Sequence, residues 1–135
     1  MDDMDDRASI HQRVRKQHSA EIAQDYVEAI YEIRESGELV RVSRLQEVFG
    51  VSHVTVIKTL KRLHEQDLIT GTKSKEIDLT EQGRQIAVTA AARHQLLKAL
   101  FIKLGVSEEQ ADEDAEGAEH HISQETLNAI ELFLK

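Results

Sequence analysis

The sequence of 135 residues contains no Cys, no Pro and no Trp, and only 2 Tyr and 3 Phe. Without Cys there are no disulfides, thiolate zinc sites or cysteine nucleophiles, so any metal must be bound by oxygen and imidazole ligands. The scarcity of aromatic residues argues against the base-stacking surfaces of single-strand-binding proteins. No apolar run approaches the ~18 residues of a membrane span, and the start MDDMDD lacks the regions of a secretory signal. We therefore expect a cytoplasmic protein with no membrane partner.

The charge is unevenly distributed along the chain. The formal net charge is −8, which argues against nonspecific nucleic-acid binding by the whole surface. Between residues 41 and 75, however, seven basic residues outnumber three acidic ones, a local charge of +4. Residues 108–119 contain seven acids and no base. This asymmetry indicates one segment that faces an anion and another that faces a cation.

Residues 41–70, RVSRLQEVFGVSHVTVIKTLKRLHEQDLIT, have the pattern of a helix-turn-helix. Ser43 and Gln46 predict a capping box for a short helix that ends at Gly50, and Ser52 predicts the cap of a second helix. Two short strands around the basic turn of DLITGTKSKEIDLT make the unit winged. Short polar side chains on the second helix suit base edges in the major groove, and long cations suit phosphates. The candidate DNA-binding residues are Arg41, Arg44, Ser52, His53, Thr55, Lys58, Lys61, Arg62, Lys73 and Lys75.

The remaining periodicity predicts helices on both sides of this unit. Residues 1–17 lack an apolar stripe and are expected to form a mobile tail, followed by a helix from Ser19 to about Ser36. A long helix is expected from Thr80 to about Leu104. The predicted fold is mostly α with a small β-wing, an N-terminal winged helix-turn-helix domain plus a C-terminal helical dimerisation domain. The predicted domains are a tail at 1–17, the DNA-binding domain at 18–80 and the metal-binding and dimerisation domain at 81–135.

The last third of the chain concentrates metal-ligand residue types. Ser107 and Gln110 predict a capping box for an acidic helix through His121, and Ser123 predicts the cap of a last helix. On the acidic helix Glu116, Glu119 and His120 stand at i, i+3 and i+4, which is a chelating geometry, although a solvated acidic surface is the common alternative. His94 lies at the edge of an apolar stripe, where a hydrogen-bonded core histidine is also expected. Periodicity does not choose among the carboxylates of the first helix, Glu21, Asp25, Glu28 and Glu32.

Several stretches together resemble the manganese-sensing branch of the diphtheria-toxin-repressor family of metal-dependent transcriptional repressors. They are DYVEAIYEI, the winged helix after it, RHQLLKALFIKLGVSEEQADEDAEGAEHHIS and ETLNAIELF. The combination D-Y-x-E, R-H and E-G-x-E-H-H is specific, although each piece alone is weak. The resemblance runs from about residue 18 to the C-terminus and implies a metal that joins the winged head to a helical dimer domain. The ligands that it implies are Asp25, Glu28, His94, Glu116, Glu119 and His120.

The residue types of these implied ligands suit a manganese ion. Carboxylates are hard donors suited to Mn²⁺, whereas the iron-responsive branch has Met and Cys at the positions of Glu28 and Glu116. Four carboxylates and two neutral imidazoles sum to −4, so we expect two Mn²⁺ per subunit. The expected function is a Mn(II)-dependent repressor of manganese uptake genes that binds a palindromic operator in double-stranded DNA as a homodimer. We expect no enzymatic activity.

Three other interpretations stay open at this point. A regulator of the same fold could respond to Fe(II) or Zn(II), and a winged-helix regulator could act without any metal. A binuclear metallohydrolase is disfavoured, because it would leave the basic winged head unexplained.

Overall fold

The computed structural model describes residues 3–71 and 76–135, with side chains from residue 6 onward. The chain divides into two compact units, residues 1–86 and 87–135. The described elements are helices α1 (Asp3–Glu35), α2 (Val42–Phe49) and α3 (His53–Glu65), strands β1 (Ile69–Thr70) and β2 (Asp78–Leu79), helices α4 (Glu81–Lys103) and α5 (Glu108–Ala118), a 3₁₀ turn (Glu119–His121) and helix α6 (Gln124–Leu134). The prediction of a mostly helical fold with a small β-wing is confirmed. Among the described residues, no helix combines the length and apolarity that a bilayer crossing needs.

Helix α1 begins at Asp3, so its predicted start at Ser19 is wrong. The side chains of residues 6–18 are all exposed, and no apolar stripe marks this part of the helix. Apolar periodicity detects the buried face of a helix, not an extension of it into solvent. No proline interrupts the backbone of this stretch. The helix therefore extends well beyond the part that packs.

The helix-turn-helix forms where it was predicted. Gly50 ends α2 in the left-handed conformation, at φ 62°, which glycine adopts without steric cost. The Ser52 hydroxyl then accepts a hydrogen bond from the Thr55 amide at 3.2 Å and caps α3. The predicted capping box at Ser43 is wrong, because α2 begins at Val42, two residues before the start that a cap at Ser43 requires, and Arg41 occupies the cap position without a side-chain bond.

The core of the first unit joins α1 to the helix-turn-helix. Tyr26 of α1 stacks on Phe49 of α2, with ring centroids 4.2 Å apart and planes 6° from parallel. Burial raises the pKa of Tyr26, while its hydrogen bond with Thr59 opposes the rise. The largest fully buried aliphatic side chains of this unit are Val27, Ile30, Leu45, Val56, Leu63 and Ile77.

The wing is a short antiparallel pair in which Ile69 faces Leu79. Arg34 of α1 fixes its second strand, since its guanidinium lies 2.6 Å from Glu76 and 2.9 Å from Asp78. The turn between the strands contains Lys73 and Lys75, which lie outside the described residues.

The second unit packs three helices around Leu97, Ala115 and Leu127. Ser107 and Ser123 cap α5 and α6, with amide-to-hydroxyl distances of 3.3 and 3.2 Å. The predicted continuation of α5 through His121 is wrong, because the α-helix ends at Ala118 and a 3₁₀ turn follows.

The contact between α4 and the wing predicts a specific cost for one methyl group. A Cβ at Gly83 would lie 2.1 Å from the carbonyl oxygen of Leu68, which already accepts a hydrogen bond from the Thr80 amide. Gly83→Ala should therefore lower the free energy of unfolding by about 1–3 kcal/mol, measured by denaturant unfolding followed by circular dichroism. Gly117→Ala is the matched control, because nothing lies within 4 Å of its Cβ; it should stabilise by about 0.5–1 kcal/mol. Equal stability of the two variants would contradict the packing argument.

Candidate metal centre

His94 of α4 lies at the centre of a cluster of acidic side chains in the second unit. Its Nδ1 atom is 3.3 Å from Oε2 of Glu116 and 3.2 Å from Oε2 of Glu119. The ring is largely buried, with 13% of the side chain exposed. One imidazole nitrogen therefore faces two carboxylates, and a cation in this position would satisfy all three groups.

The 3₁₀ turn carries a buried carboxylate, Glu119. A 3₁₀ turn advances about 120° per residue rather than 100°, so it redirects the side chains that follow α5. Glu119 is 1% exposed, whereas His121 two residues later is exposed. His120 is also held close, with Nε2 3.8 Å from Oε1 of Glu119. Glu119 and His120 thus belong to a separate turn and not to the helix face predicted to carry them with Glu116.

The donor geometry fits a divalent cation. One ligand atom from each of His94, Glu116 and Glu119 lies within 4.8 Å of the other two. Adjacent ligands of an octahedral ion at ~2.1 Å are roughly 3 Å apart, close to the separations measured from Nδ1. Carboxylate oxygens with imidazole suit Mn²⁺ and its hard neighbours, and the ion would supply the charge that a buried carboxylate requires.

Asp112 is a site residue that the sequence analysis missed. Its Oδ1 lies 2.7 Å from Nε2 of His94, and this hydrogen bond, with a smaller contribution from Lys98, lowers the pKa of Asp112. Because an ionised carboxylate only accepts, Nε2 must donate, and Nδ1 is left to face Glu116 and Glu119. Asp112 stands one helical turn before Glu116 on α5 and Lys98 one turn after His94 on α4, a spacing visible in the sequence.

The remaining predicted ligands lie in the first unit. Asp25 and Glu28 are one turn apart on α1, and both are half-buried. The second unit brings together His94, Glu116 and Glu119, with His120 beside them. A role for Asp25 and Glu28 in the same centre stays a prediction.

The predicted DNA-binding residues within the described part of the chain lie on and before α3. Ser52 is occupied as the helix cap, and its hydroxyl is also 3.1 Å from that of Thr55. Arg62 donates to the Ser19 hydroxyl at 3.0 Å, and Arg44 forms exposed ion pairs of 3.3 Å with two glutamates. The exposed members of the set are Arg41, Ser52, His53, Thr55, Lys58, Lys61 and Arg62.

Two family models match the chain in the same order as its units. The model described as the N-terminal DNA binding domain of the iron dependent repressor matches residues 18–77. The model described as the metal binding and dimerisation domain of the same repressor matches residues 80–135.

Whole-chain similarities agree with the family models. The transcriptional regulator MntR of Escherichia coli O157:H7 is 44% identical over 122 residues, which cover 90% of this chain and 78% of that protein. The HTH-type transcriptional regulator MntR of Geobacillus kaustophilus is 35% identical over 107 residues, which cover 79% of this chain and 76% of that protein.

A solved manganese-dependent transcriptional repressor in complex with manganese has a similar fold, with a TM-score of 0.76 and 32% identity over 83% of this chain. The chain covers about half of that structure, 52% of its length. The manganese regulator SloR matches with a TM-score of 0.73 and 27% identity over 83% of this chain and 53% of its own. The chain therefore belongs to the iron-dependent repressor family of transcriptional regulators, in the branch of the proteins named MntR.

Proposed function

We propose that this chain is a Mn²⁺-dependent DNA-binding repressor of manganese uptake genes. The observation that carries the proposal is the cluster of His94, Glu116 and Glu119 in a chain whose other unit is a winged helix-turn-helix. The MntR relatives and the solved repressor with manganese support the choice of metal. Residues 18–80 are the DNA-binding domain in this proposal, and residues 81–135 bind metal and form the homodimer.

The metal ligands in this proposal are Asp25, Glu28, His94, Glu116, Glu119 and His120. The two histidines are neutral in the metal-bound form, so the four carboxylates give the set a charge of −4. Two Mn²⁺ per subunit would neutralise that charge and offset the mutual repulsion of the carboxylates. The support for Asp25 and Glu28 is their spacing of one turn on α1, their partial burial and the resemblance of DYVE to the family pattern.

The chain's own groups set the geometry before any ion binds. Asp112 orients His94, and the 3₁₀ turn buries Glu119 beside it. In this proposal Asp25 and Glu28 of α1 share the ions with the carboxylates of the second unit, because without a cation their like charges would repel one another. In a two-fold dimer, fixing both heads sets the separation of the two α3 helices. A palindromic operator has half-sites about 34 Å apart or a multiple of that distance.

On the DNA side, the start of α3 reads base edges and the cations around it bind phosphates. His53 and Thr55 are exposed in the first turn, where a recognition helix meets the major groove. Lys58, Lys61 and Arg62 follow on the next turns. Arg41, Arg44, Lys73 and Lys75 complete the phosphate contacts in this proposal.

The first experiment compares operator binding with different metals. Duplexes selected from a random library with wild-type protein and Mn²⁺ provide the probe. Mn²⁺ should tighten binding relative to chelator by roughly 5- to 150-fold, and His94→Ala should lose this response. His121→Ala is the matched control, since its exposed imidazole lies next to the cluster but outside it. Equal binding with Mn²⁺ and with chelator would overturn the proposal, and a larger response to Fe²⁺ or Zn²⁺ would reassign the metal.

A second experiment tests the orientation of His94. Asp112→Ala should weaken Mn²⁺ binding about 10- to 100-fold in calorimetry, because Nε2 loses its acceptor and the ring turns freely. It should also change the ¹⁵N shifts of His94 in the metal-free protein. Asp112→Asn keeps an acceptor oxygen and should retain most of the affinity.

Glu113→Ala controls for charge in this experiment, because it removes one exposed carboxylate from the adjacent position of α5. If Glu113→Ala and Asp112→Ala weaken Mn²⁺ equally, the effect of Asp112 is net charge and not orientation.

A third experiment separates phosphate contacts from base readout. Lys61→Ala should weaken binding to all sequences and reduce the slope of log K against log salt by about 0.9 for each bound subunit. Lys135→Ala removes the same charge from the end of the second unit and should leave the slope unchanged. Loss of affinity confined to one base position would instead assign Lys61 to readout.

A further inference from the structure

Residues 6–17, in the N-terminal part of α1, form an exposed basic segment, called the arm below, which precedes the region that the family model matches. The DNA-binding model begins at residue 18, whereas α1 begins at Asp3. Residues 7–20 contain no acid, and every side chain from 6 to 18 is exposed. Against a net charge of −8 for the chain, this arm carries four cations, Arg7, Arg13, Arg15 and Lys16.

A hydrogen bond fixes the side of the arm that faces the recognition helix. Arg62, near the end of α3, donates to the hydroxyl of Ser19 at 3.0 Å. Residues three and four positions apart share a helix face, so Lys16 and Arg15 lie on the face that bears Ser19. At 100° per residue, Arg7 and Arg13 are each rotated about 120° from Ser19, so both lie on other sides of the helix.

A surface groove in the first unit independently supports this orientation. Lys16 and Ser19 line it together with Gln66 and Leu68, which directly follow α3. Lys16 therefore lies on the same side of the unit as the C-terminal end of the recognition helix. Arg62 of that helix is therefore adjacent to the face of the arm that carries Arg15 and Lys16.

We propose that the Arg15–Lys16 face of the arm is a second contact with duplex DNA, which binds backbone phosphates beside the bases met by α3. The inference rests on the proposed function in that DNA is the partner. From Ser19 to Asp6 the helix rises about 20 Å, more than the ~12 Å width of the major groove, so the arm is long enough to reach a flanking backbone. Arg and Lys bind phosphate oxygens without sequence preference, so the contact adds affinity and salt dependence rather than specificity.

The test compares two double variants of equal charge. Arg15→Ala with Lys16→Ala removes the face that bears Ser19, and Arg7→Ala with Arg13→Ala removes cations from the sides. Binding is measured with Mn²⁺ from about 50 to 200 mM salt, on a selected site flanked by one turn (~10 bp) of duplex. The first variant should reduce the salt slope by about 1.8 for each bound subunit. The second should change it far less, because charges beyond a Debye length of ~8–10 Å are largely screened.

A shorter duplex without the flanks is the second measurement. On this probe the wild type and the Arg15/Lys16 variant should have the same salt slope. Equal salt slopes for both double variants on the long duplex would overturn the inference, because the effect would then depend on net charge and not on the face that carries Arg15 and Lys16. An altered oligomeric state in sedimentation without a change of slope would assign the arm to contacts between copies. In these outcomes the wild type still binds in a metal-dependent manner, so they leave the proposed function standing; wild-type protein that binds no duplex with any metal would overturn both.

Discussion

The candidate metal centre depends on one electrostatic constraint, a carboxylate that the fold holds out of water. Glu119 is 1% exposed, and an ionised carboxylate removed from water costs several kcal/mol unless opposite charge and hydrogen bonds compensate. The groups around it in the second unit are imidazoles and a further carboxylate, Glu116. A site built this way favours cations, and the deeper the carboxylate lies, the stronger the preference.

The apolar core of the second unit links the helix before Glu119 to the helix that carries His94. Ala115 of α5 packs with Leu97 of α4 in the apolar core of this unit, and Ala111, one turn before it, is also fully buried. Glu116 directly follows Ala115, and its Oε2 lies 3.3 Å from Nδ1 of His94 on α4. The tight turn after Ala118 then points residue 119 inward and residue 121 outward. The apolar core and the polar cluster are therefore consequences of the same helix contact.

Predictions succeeded where neighbouring residues decide the structure. The caps at Ser52, Ser107 and Ser123 and the left-handed Gly50 follow from local chemistry, and all four are found. The capping box at Ser43 failed because Val42 and Ser43 already lie within the helix, which no local pattern excludes. The 3₁₀ turn at Glu119 and the bond from Asp112 to His94 depend on packing between helices distant in sequence. The sequence thus indicated most of the candidate ligands but not the residue that orients one of them.

Thermodynamic linkage limits which ligand sets can regulate DNA binding. A ligand shifts an equilibrium only by the difference between its affinities for the two states. His94, Glu116, Glu119 and His120 all belong to the second unit, so an ion bound by them alone has no direct preference for any position of the winged head. A metal-responsive head needs donors of its own, and the half-buried pair Asp25 and Glu28 supplies carboxylates on the helix that also packs against the helix-turn-helix through Tyr26. The same linkage requires operator DNA to tighten metal binding by the factor with which the metal tightens DNA binding. In the proposed mechanism, sensing therefore requires donors from both units, and the α1 carboxylates Asp25 and Glu28 would set how strongly metal binding and head position are coupled.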